Sequence, residues 1–398
     1  MKLKTKTPNT NLYDHDYKLF YFSEEEIQKE YEFFFKYIEH KRRYKHVFRV
    51  NKKGRILFRE KNKYCPCCYS KDVVKNGFNT RKLHILGEGY CTVYINRYYC
   101  KSCGCNYQTD MNEFVEYGYN ITREVKEIIW INYAYYMGSV RKIATVLRKT
   151  HNIHLSYQSI QNIICQFNYN NNQQIKSYSG YYVFDSLWVK ISGKWKYMLA
   201  LMDGQHNTII NTKIVEEERS KNIKEFLRNS TRNQERKTVT TDLKHDYGKP
   251  IDQLKMKQQL CKFHTQQNIN KKIKEYSKKN KLNNEEIEEL YKQKDEINNI
   301  INTTDYNQSL NNIQNILKKP KEYYTVIYSI CKDFLRPYLR NITQYMENPK
   351  IESTSNKIEN MFQKIMPKHI KKRMKTEKGL ESRFMLCLWR WDQDNLII

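Results

Sequence analysis

Seven of the eleven cysteines lie within one stretch of 41 residues, from Cys65 to Cys105. Within this stretch, Cys65 and Cys68 form one Cys-x-x-Cys pair, and Cys100 and Cys103 form a second. Each pair places two thiolates on one tight turn, and two such turns complete a tetrahedral zinc shell with Zn–S bonds of about 2.3 Å. The stretch is therefore predicted to fold around Zn²⁺.

The predicted zinc module, a zinc ribbon in outline, covers residues 61–112, and its interval of 31 residues between Cys68 and Cys100 is longer than usual. Alternating residues at 92–95 predict a strand that leads into the second pair, and Asn76-Gly77 predicts a turn. Cys67 and Cys105 leave the choice of ligands open, and a set of unmetallated core thiols is the alternative. The four Cys-x-x-Cys thiols are the preferred ligands.

The charge of the chain points to its class of partner. The chain contains 71 Lys and Arg against 43 Asp and Glu, a net charge of +28, which favours a polyanion. No apolar run reaches the roughly 18 residues of a membrane span, and the N-terminus lacks the apolar core of a secretory signal. We expect a cytoplasmic, nucleoid-associated protein without membrane contact. Residues 1–60, including an amphipathic stretch at 24–41, have no assigned role.

Residues 120–170 change to a helical period. Three helices are predicted, with Thr122, Ser139 and Ser156 as their N-caps. The third has an apolar face and presents polar residues on the other, namely Gln158, Gln161 and Asn162. This arrangement fits a helix-turn-helix whose last helix enters the DNA major groove. A three-helix bundle without DNA contact is the alternative.

Residues 178–280 predict three successive strands, a helix and a further strand, with acids at strand ends. The first strand is an apolar run that ends at Asp185, and the strand after the helix ends at Asp242. This order is similar to an RNase H-like sheet, so the two acids are expected at one edge. Carboxylates suit Mg²⁺ or Mn²⁺, and two ions about 3.5–4 Å apart can drive phosphoryl transfer. Asp203 and Asp246 are weaker candidates.

A third carboxylate is expected from a helix that crosses this sheet. Residues 281–346 read as a helical insertion, and residues 347–398 as the C-terminal helices of the catalytic part. Residues of N-cap type at Ser353–Asn356 predict the start of a helix there, so Glu352 precedes the predicted helix and Glu359 lies inside it. The alternative for Glu359 is structural, because Asn356-x-x-Glu359 resembles a capping box. The overall prediction is a multidomain α+β or α/β protein.

These features together resemble a DDE-superfamily transposase of prokaryotic insertion sequences, on the Mutator-like side of that superfamily. The resemblance covers roughly residues 63–391 and rests on the cysteine pairs, Tyr-Val-Phe-Asp185, Thr-Thr-Asp242, Cys261-x-x-His264 and Ser-Asn-Lys-Ile-Glu359-Asn. It implies catalysis by Asp185, Asp242 and Glu359 on Mg²⁺ or Mn²⁺, with His264 near the active site. It also implies action on double-stranded DNA, at element ends and target, by a homo-oligomer.

The implied activity is metal-dependent strand cleavage and strand transfer at the ends of a mobile element. A basic segment after Glu359 is expected to contact phosphate or simply to be solvated; its residues are Lys368, Lys371, Lys372 and Arg373. Two other functions remain open. One is an inactive, transposase-derived DNA-binding protein, and the other is an RNase H-like nuclease, which would not need two N-terminal DNA-reading modules.

Overall fold

A computed structural model describes residues 46–50, 55–60, 63–169, 177–303 and 305–395. They form two compact units that divide after residue 164. The amphipathic stretch predicted at 24–41 lies outside the described residues. The mixed α/β character expected from the sequence is present, with one sheet in each unit.

The N-terminal unit begins with a five-stranded sheet. Its strands are β1 (His46–Val50), β2 (Ile56–Glu60), β3 (Val73–Ile85), β4 (Gly89–Cys100) and β5 (Asn106–Gln108). The order is β1-β2-β4-β3, with β5 also paired to β4, and only the β2–β4 pair is parallel. Apolar residues on one face form its core, among them Phe58, Leu83, Val93 and Ile95. The sheet thus includes strands that precede the boundary predicted at residue 61.

The turn predicted at Asn76-Gly77 is wrong, because both residues lie within β3. The pairing with β4 shifts register between Lys75 and Phe78, which is a β-bulge. Gly77 has φ = +77°, a left-handed conformation that glycine adopts without steric cost. The chain reverses instead at residues 86–88, where Gly87 also has a positive φ. The Asn-Gly signal marked an irregularity inside a strand rather than a turn.

Three helices follow the sheet: α1 (Arg123–Ala134), α2 (Val140–His151) and α3 (Tyr157–Gln166). The three predicted N-cap residues each precede a helix. The Ser139 hydroxyl accepts a hydrogen bond from Lys142 N, and the Ser156 hydroxyl accepts one from Ser159 N, whereas the Thr122 side chain makes no capping hydrogen bond. Buried apolar residues join the helices, and the Trp130 indole donates to Ile163 O at 3.0 Å. The three-helix prediction is confirmed.

The C-terminal unit is built on a second five-stranded sheet. Its strands are β6 (Tyr181–Ile191), β7 (Lys194–Asp203), β8 (Thr208–Val215), β9 (Thr238–Thr241) and β10 (Lys257–Leu260). Their order is β10-β9-β6-β7-β8. The first three strands in sequence pair antiparallel, whereas β9 lies parallel to β6, and β10 lies parallel to β9. Both β6 and β9 therefore direct their carboxyl ends to the same edge.

Helices cover both faces of this sheet. On one face, α4 (Ser220–Ser230) and α5 (His245–Gln253) pack against β6 and β7 through a core that includes Tyr182, Phe184, Leu201, Phe226 and Tyr247. On the other, α11 (Asn356–Ile365) contacts β6, and α13 (Glu377–Asn395) contacts β8; α12 (Lys368–Lys371) lies between them in sequence. The last helix closes this core, since Phe384, Leu388 and Trp391 are buried.

Residues 281–346 are mostly helical, as predicted, but the helical region begins earlier, at Lys262, within the range predicted for the catalytic core. It comprises α6 (Lys262–Lys279), α7 (Asn284–Asn302), α8 (Tyr306–Lys318), α9 (Thr325–Ser329), a π-helical segment (Ile330–Leu335) and α10 (Arg336–Glu347). These helices share their own apolar core, which includes Ile269, Leu290, Ile297, Ile313 and Ile342. The α10 helix returns the chain to the sheet, because Gln344 Nε2 donates to Gln258 O in β10. Among the described residues, no helix is long and apolar enough to cross a membrane.

Asp392 in α13 is a buried acid whose ionisation lowers the free energy of unfolding at neutral pH. Its carboxylate accepts from the Thr208 hydroxyl at 3.0 Å, and burial raises its pKa to about 6. The folded protein thus keeps a proton that the unfolded chain releases near pH 4, so stability falls as pH rises from about 4 to 6. A shift of two pKa units corresponds to roughly 2–3 kcal/mol.

We expect Asp392→Asn to raise the unfolding midpoint at pH 7 and to flatten its dependence between pH 4 and 7. The neutral amide keeps an oxygen for Thr208 and avoids burying a charge. Thermal unfolding of the variant and the wild type across this range measures the effect. An unchanged pH profile would contradict the assigned cost.

Candidate functional site

Four thiols of the N-terminal unit form a candidate metal centre. The Sγ atoms of Cys65, Cys68, Cys100 and Cys103 all lie within 4.8 Å of one another. Cys65 and Cys103 are 3.5 Å apart, and Cys68 and Cys100 are 3.6 Å apart. A tetrahedron with Zn–S bonds of 2.3 Å has edges of about 3.8 Å, so the set fits Zn²⁺. The four predicted ligands are therefore brought together in a site that could hold zinc.

The two turns that carry these thiols are shaped by backbone hydrogen bonds. Tyr69 N donates to Cys65 O at 2.9 Å, and Gly104 N donates to Cys100 O at the same distance. Cys67 and Cys105, which left the ligand choice open, lie beside the four, with their Sγ atoms 2.6 Å apart. Together with Cys65 they form a second group of three close thiols. That separation is too short for two ligands of one tetrahedral ion, which favours the first set.

The polar residues predicted to read DNA lie on α3. Gln158 and Asn162 are exposed, and the Gln158 amide donates to Asn162 Oδ1 at 2.8 Å, as expected for residues one turn apart. Gln161 is half-buried. Their opposite face packs into the helix bundle through Ile160, Ile163 and Ile164. An exposed polar helix face is therefore available to a partner.

Three acids of the C-terminal unit lie close enough to one another to interact electrostatically. Asp185 lies within β6, which continues to Ile191, so the strand end predicted at Asp185 is wrong. Asp242 directly follows β9, and Glu359 lies in the first turns of α11, which contacts β6. Backbone N–H groups orient two of them: Ser186 N donates to Asp185 at 2.7 Å, and Lys244 N donates to Asp242 at 3.0 Å.

These carboxylates act on one another electrostatically. Burial raises the pKa of Asp185 to about 8, and the negative charges of Asp242, Glu359 and Glu218 add to the shift. Burial also raises the pKa of Asp242. Like charges at one edge cost free energy unless a proton or a cation compensates them. Carboxylate oxygens are the ligands that Mg²⁺ prefers, so the chemistry of the donors fits such an ion. Within the described ranges, only thiols bring three ligand atoms within 4.8 Å, so the acids form a wider set.

A network around Ser355 links the Cys-x-x-His element to Glu359. The Ser355 hydroxyl donates to Glu359 Oε1 at 2.5 Å and lies 3.5 Å from His264 Nδ1. Ser355 N also donates to the Cys261 thiol at 3.3 Å. The capping box predicted from Asn356 is wrong, because the helix begins at Asn356 with Ser355 as its N-cap. Glu359 is instead held by the Ser355 side chain.

His264 lies next to two of the acids. Its Nδ1 is 3.9 Å from Glu359 Oε1. A hydrogen bond with Cys261 raises the pKa of His264 to about 9, and the charges of Glu359 and Asp242 contribute in the same direction. Burial opposes ionisation of Cys261, yet hydrogen bonds with His264 and Ser355 hold the pKa of that thiol below its usual value. The His264 imidazole therefore lies between the Cys261 thiol and the carboxylates and interacts with both.

Glu218 is a site residue that the sequence analysis missed. It belongs to the run Glu216–Glu218, which resembles a solvated charged loop, and nothing in the sequence distinguishes its third member. In the fold it is buried and accepts hydrogen bonds from the Lys244 ammonium and the Tyr247 hydroxyl. Its charge raises the pKa of both Asp185 and Asp242. Glu218 thus forms an ion pair with Lys244, which follows Asp242 by two residues.

The rival acids have structural partners. Asp203 is fully buried and accepts from Ser179 N at 2.7 Å and from the Ser179 hydroxyl at 2.8 Å. Glu352 lies before α11 and pairs with the Lys357 ammonium at 2.7 Å. Asp246 is exposed in the first turn of α5. These contacts favour the ranking of Asp185, Asp242 and Glu359 above the alternatives.

The basic segment divides into an inner and an outer part. Lys371 is half-buried and close enough to interact with Asp185, while burial lowers the pKa of its ammonium. Lys368, Lys372 and Arg373 are exposed. The segment thus carries cations from the acidic edge outward to solvent.

The fold and its two clusters define a multidomain α/β protein with a thiol centre that could bind zinc and a separate acidic sheet edge. The chain matches no protein-family model. It is 30% identical over 354 residues to the insertion element ISM1 uncharacterized 48.3 kDa protein of Methanobrevibacter smithii, an alignment that covers 86% of this chain and 85% of the relative. The chain belongs to this family of insertion element proteins.

Proposed function

We propose that this protein is a DDE-type DNA transposase that cleaves and transfers DNA strands at the ends of a mobile element. The observation that carries the proposal is geometric: Asp185 and Asp242 lie level on the adjacent strands β6 and β9, and Glu359 lies on the helix α11 that contacts β6. These residues are 57 and then 117 positions apart in the chain. Metal-dependent phosphoryl transfer requires acidic side chains that lie close together in the fold, as proposed for these three. The 30% sequence identity to an insertion element protein supports the same proposal.

The strand order supports an RNase H-like catalytic domain. Three antiparallel strands are followed by a helix and by two parallel strands on the other side of the first strand, in the order β10-β9-β6-β7-β8. Asp185 and Asp242 each follow the paired residues Val183 and Thr240 by two positions, so the two acids lie level where β9 ends beside β6. The helical insertion between β10 and α11 leaves this arrangement intact, because Lys262 N donates to Ser353 O where the insertion begins and ends.

Asp185, Asp242 and Glu359 would hold two Mg²⁺ or Mn²⁺ ions. When bound, such ions lower the pKa of a water or hydroxyl nucleophile and stabilise the leaving oxygen. The protein's own part is to position the carboxylates: Ser186 N and Lys244 N orient the two aspartates, and Ser355 orients Glu359. His264 and Lys371 supply positive charge near the substrate phosphate.

The proposed DNA contacts lie in both units. The exposed face of α3, with Gln158, Gln161 and Asn162, has the size and polarity of a recognition helix, and α1–α3 form the corresponding helix-turn-helix. Zinc bound by the four cysteines would stabilise the fold of the neighbouring zinc ribbon. In the C-terminal unit, Lys368, Lys371, Lys372 and Arg373 would bind phosphates near the acids. The proposed substrate is therefore double-stranded DNA.

Salt dependence tests the phosphate contacts. We expect the double variant Lys368→Ala and Lys372→Ala to reduce the slope of log K against log salt by about 0.9 for each lost contact. Lys278→Ala with Lys279→Ala, two exposed lysines at the end of α6, is the matched control and should leave the slope unchanged. Equal slopes for the wild type and the first variant would show that the segment is only solvated.

A cleavage assay tests the function. Duplexes that carry the ends of the surrounding element are incubated with the protein in Mg²⁺ and in EDTA, and the products are resolved on denaturing gels. Mg²⁺-dependent cleavage with joining to a target duplex supports a transposase. Cleavage of any duplex without joining supports a nuclease, and specific binding without cleavage supports an inactive derivative.

A further inference from the structure

A surface cleft of the C-terminal unit is lined by three arginines. Arg228 lies in the last turn of α4, and Arg232 and Arg236 lie in the segment between α4 and β9. This arginine cleft has a volume of about 610 Å³, and its other lining residues carry amide or hydroxyl groups. Arg228 and Arg232 are exposed, so the arginine cleft is open to solvent.

The acids close to the arginine cleft are already paired with lysines. Glu225, three residues before Arg228 on α4, pairs with the Lys213 ammonium at 2.9 Å. Glu235 pairs with the Lys237 ammonium. Within the described ranges, no ion pair joins a cleft arginine to a carboxylate, and no carboxylate lines the cleft. Since like charges around one cleft repel each other, an anion bound there would be attracted by all three guanidinium groups.

Hydrogen bonds fix the shape of the segment that carries these arginines. The Thr231 hydroxyl accepts from Arg236 Nε at 2.8 Å. A second N–H of Arg236 donates to Arg228 O at 3.2 Å, which satisfies a carbonyl group at the end of α4. Gln234 Oε1 accepts from Tyr178 N at 2.9 Å. Because the backbone is held in place, little ordering of the chain opposes the binding of an anion.

The chemistry of the arginine cleft selects phosphate groups. A guanidinium group presents its N–H donors in a planar fork that pairs bidentately with the oxygens of a phosphate. Sites for small ligands enclose most of the ligand surface, whereas this cleft is open and two of its arginines are exposed. An open site with several guanidinium groups suits a chain of phosphates that continues beyond it, as in the backbone of DNA.

The arginine cleft is separate from the three acids. Its segment precedes β9, and Asp242 follows β9. A strand of four residues, which is about 13 Å long, therefore lies between the segment and this acid. A phosphate bound in the cleft is thus not the phosphate that would be cleaved at the acids.

We propose that Arg228, Arg232 and Arg236 bind backbone phosphates of duplex DNA away from the cleaved bond. The choice of DNA as the ligand rests on the proposed function, while the choice of phosphate rests on the cleft itself. These contacts hold the duplex on the C-terminal unit and do not read its sequence, because phosphates carry no sequence information.

The salt dependence of duplex binding tests this proposal. The affinity of the full-length protein for a fluorescent duplex is measured by anisotropy in EDTA at several salt concentrations. Arg228→Ala with Arg232→Ala should reduce the slope of log K against log salt by about 1.8 and weaken binding by about tenfold or more at about 0.1 M salt. Arg228→Lys with Arg232→Lys should keep the slope, since lysine retains the charge, and should bind more weakly because lysine cannot pair bidentately.

The matched control is Arg336→Ala with Arg340→Ala, which removes two exposed arginines four residues apart on α10 of the same unit. The control should keep the wild-type slope, and every variant should keep the far-UV circular dichroism of the wild type. Arg228→Gln with Arg232→Gln repeats the test if the alanine variant loses helical signal. An unchanged slope in the folded cleft variant overturns the proposal, and so does an equal fall of the slope in the control.

Calorimetric titration with pyrophosphate distinguishes DNA from a small anion. If the cleft variant loses binding of pyrophosphate and keeps the wild-type slope for duplex DNA, the cleft belongs to a small anion and the proposal is overturned. Loss of the duplex slope supports the proposal, with or without binding of pyrophosphate.

The two proposals fail separately. If the cleft variant keeps the wild-type slope while the wild-type protein cleaves and joins DNA in Mg²⁺, the transposase stands and the cleft falls. If the slope falls in the cleft variant while no preparation cleaves, the cleft stands as a DNA contact without the catalytic assignment.

Discussion

Replacing Asp185 or Asp242 by Asn, or Glu359 by Gln, is expected to reduce Mg²⁺-dependent strand cleavage by about a thousandfold or more. Each amide keeps the shape of its carboxyl group and loses the charge that would hold a divalent ion. Duplex binding should stay close to that of the wild type, because the proposed recognition residues lie elsewhere. Single-turnover cleavage of labelled element ends, with parallel binding titrations, measures both quantities.

The matched control for these variants is Asp246→Asn, an exposed acid four residues after Asp242. It should cleave normally. A readout apart from activity is thermal unfolding: Mg²⁺ should raise the midpoint of the wild type and have little effect on Asp185→Asn, because a ligand that binds only the folded state stabilises it. Retained cleavage in any of the three acid variants would remove that residue from the site.

Loss of zinc is expected to unfold the ribbon of the N-terminal unit. Structural zinc contributes about 10–16 kcal/mol in small modules, which equals or exceeds the stability of a typical domain. The Cys68→Ser variant should therefore bind one zinc ion fewer per chain than the wild type, as measured by elemental analysis. It should also lose its affinity for duplex DNA. A strong chelator should have the same effect on the wild type, and the C-terminal unit, which has its own cores, should keep its unfolding transition.

Cys67→Ser is the decisive comparison, because Cys67 neighbours Cys68 and belongs only to the alternative thiol group. If the four-thiol set binds the ion, Cys67→Ser keeps its zinc and its fold. Loss of zinc in Cys67→Ser with retention in Cys68→Ser would assign the ion to Cys65, Cys67 and Cys105 instead.

Local patterns were sufficient to predict much of this fold. The strand at Thr208–Val215 and the helix caps at Ser139 and Ser156 follow from alternation, helical period and capping chemistry, which are properties of neighbouring residues. The thiol set was also predictable, because its spacing alone fixes two turns. The bulge at Gly77 was not, since Asn-Gly suits a hairpin and a bulge equally well and only pairing with β4 decides between them.

The candidate acidic site was predictable only in part. Asp185 and Asp242 each close an apolar run of the sequence, which marks them locally, whereas the place of Glu359 depends on the packing of α11 against β6, which no local pattern encodes. Glu218 had no local signal, because three consecutive glutamates read as a solvated loop and only the fold buries the third.

Glu359 lies far along the sequence from Asp185 and Asp242, so it is the last of the three acids to be synthesised on the ribosome. At about 5–20 residues per second, the 117 residues between Asp242 and Glu359 take about 6–23 s to translate. Throughout that interval the nascent polypeptide carries two of its three acids and both N-terminal modules. If the proposed function holds, premature termination within this interval would release a chain that has the proposed DNA-binding modules and lacks the third acid needed for cleavage.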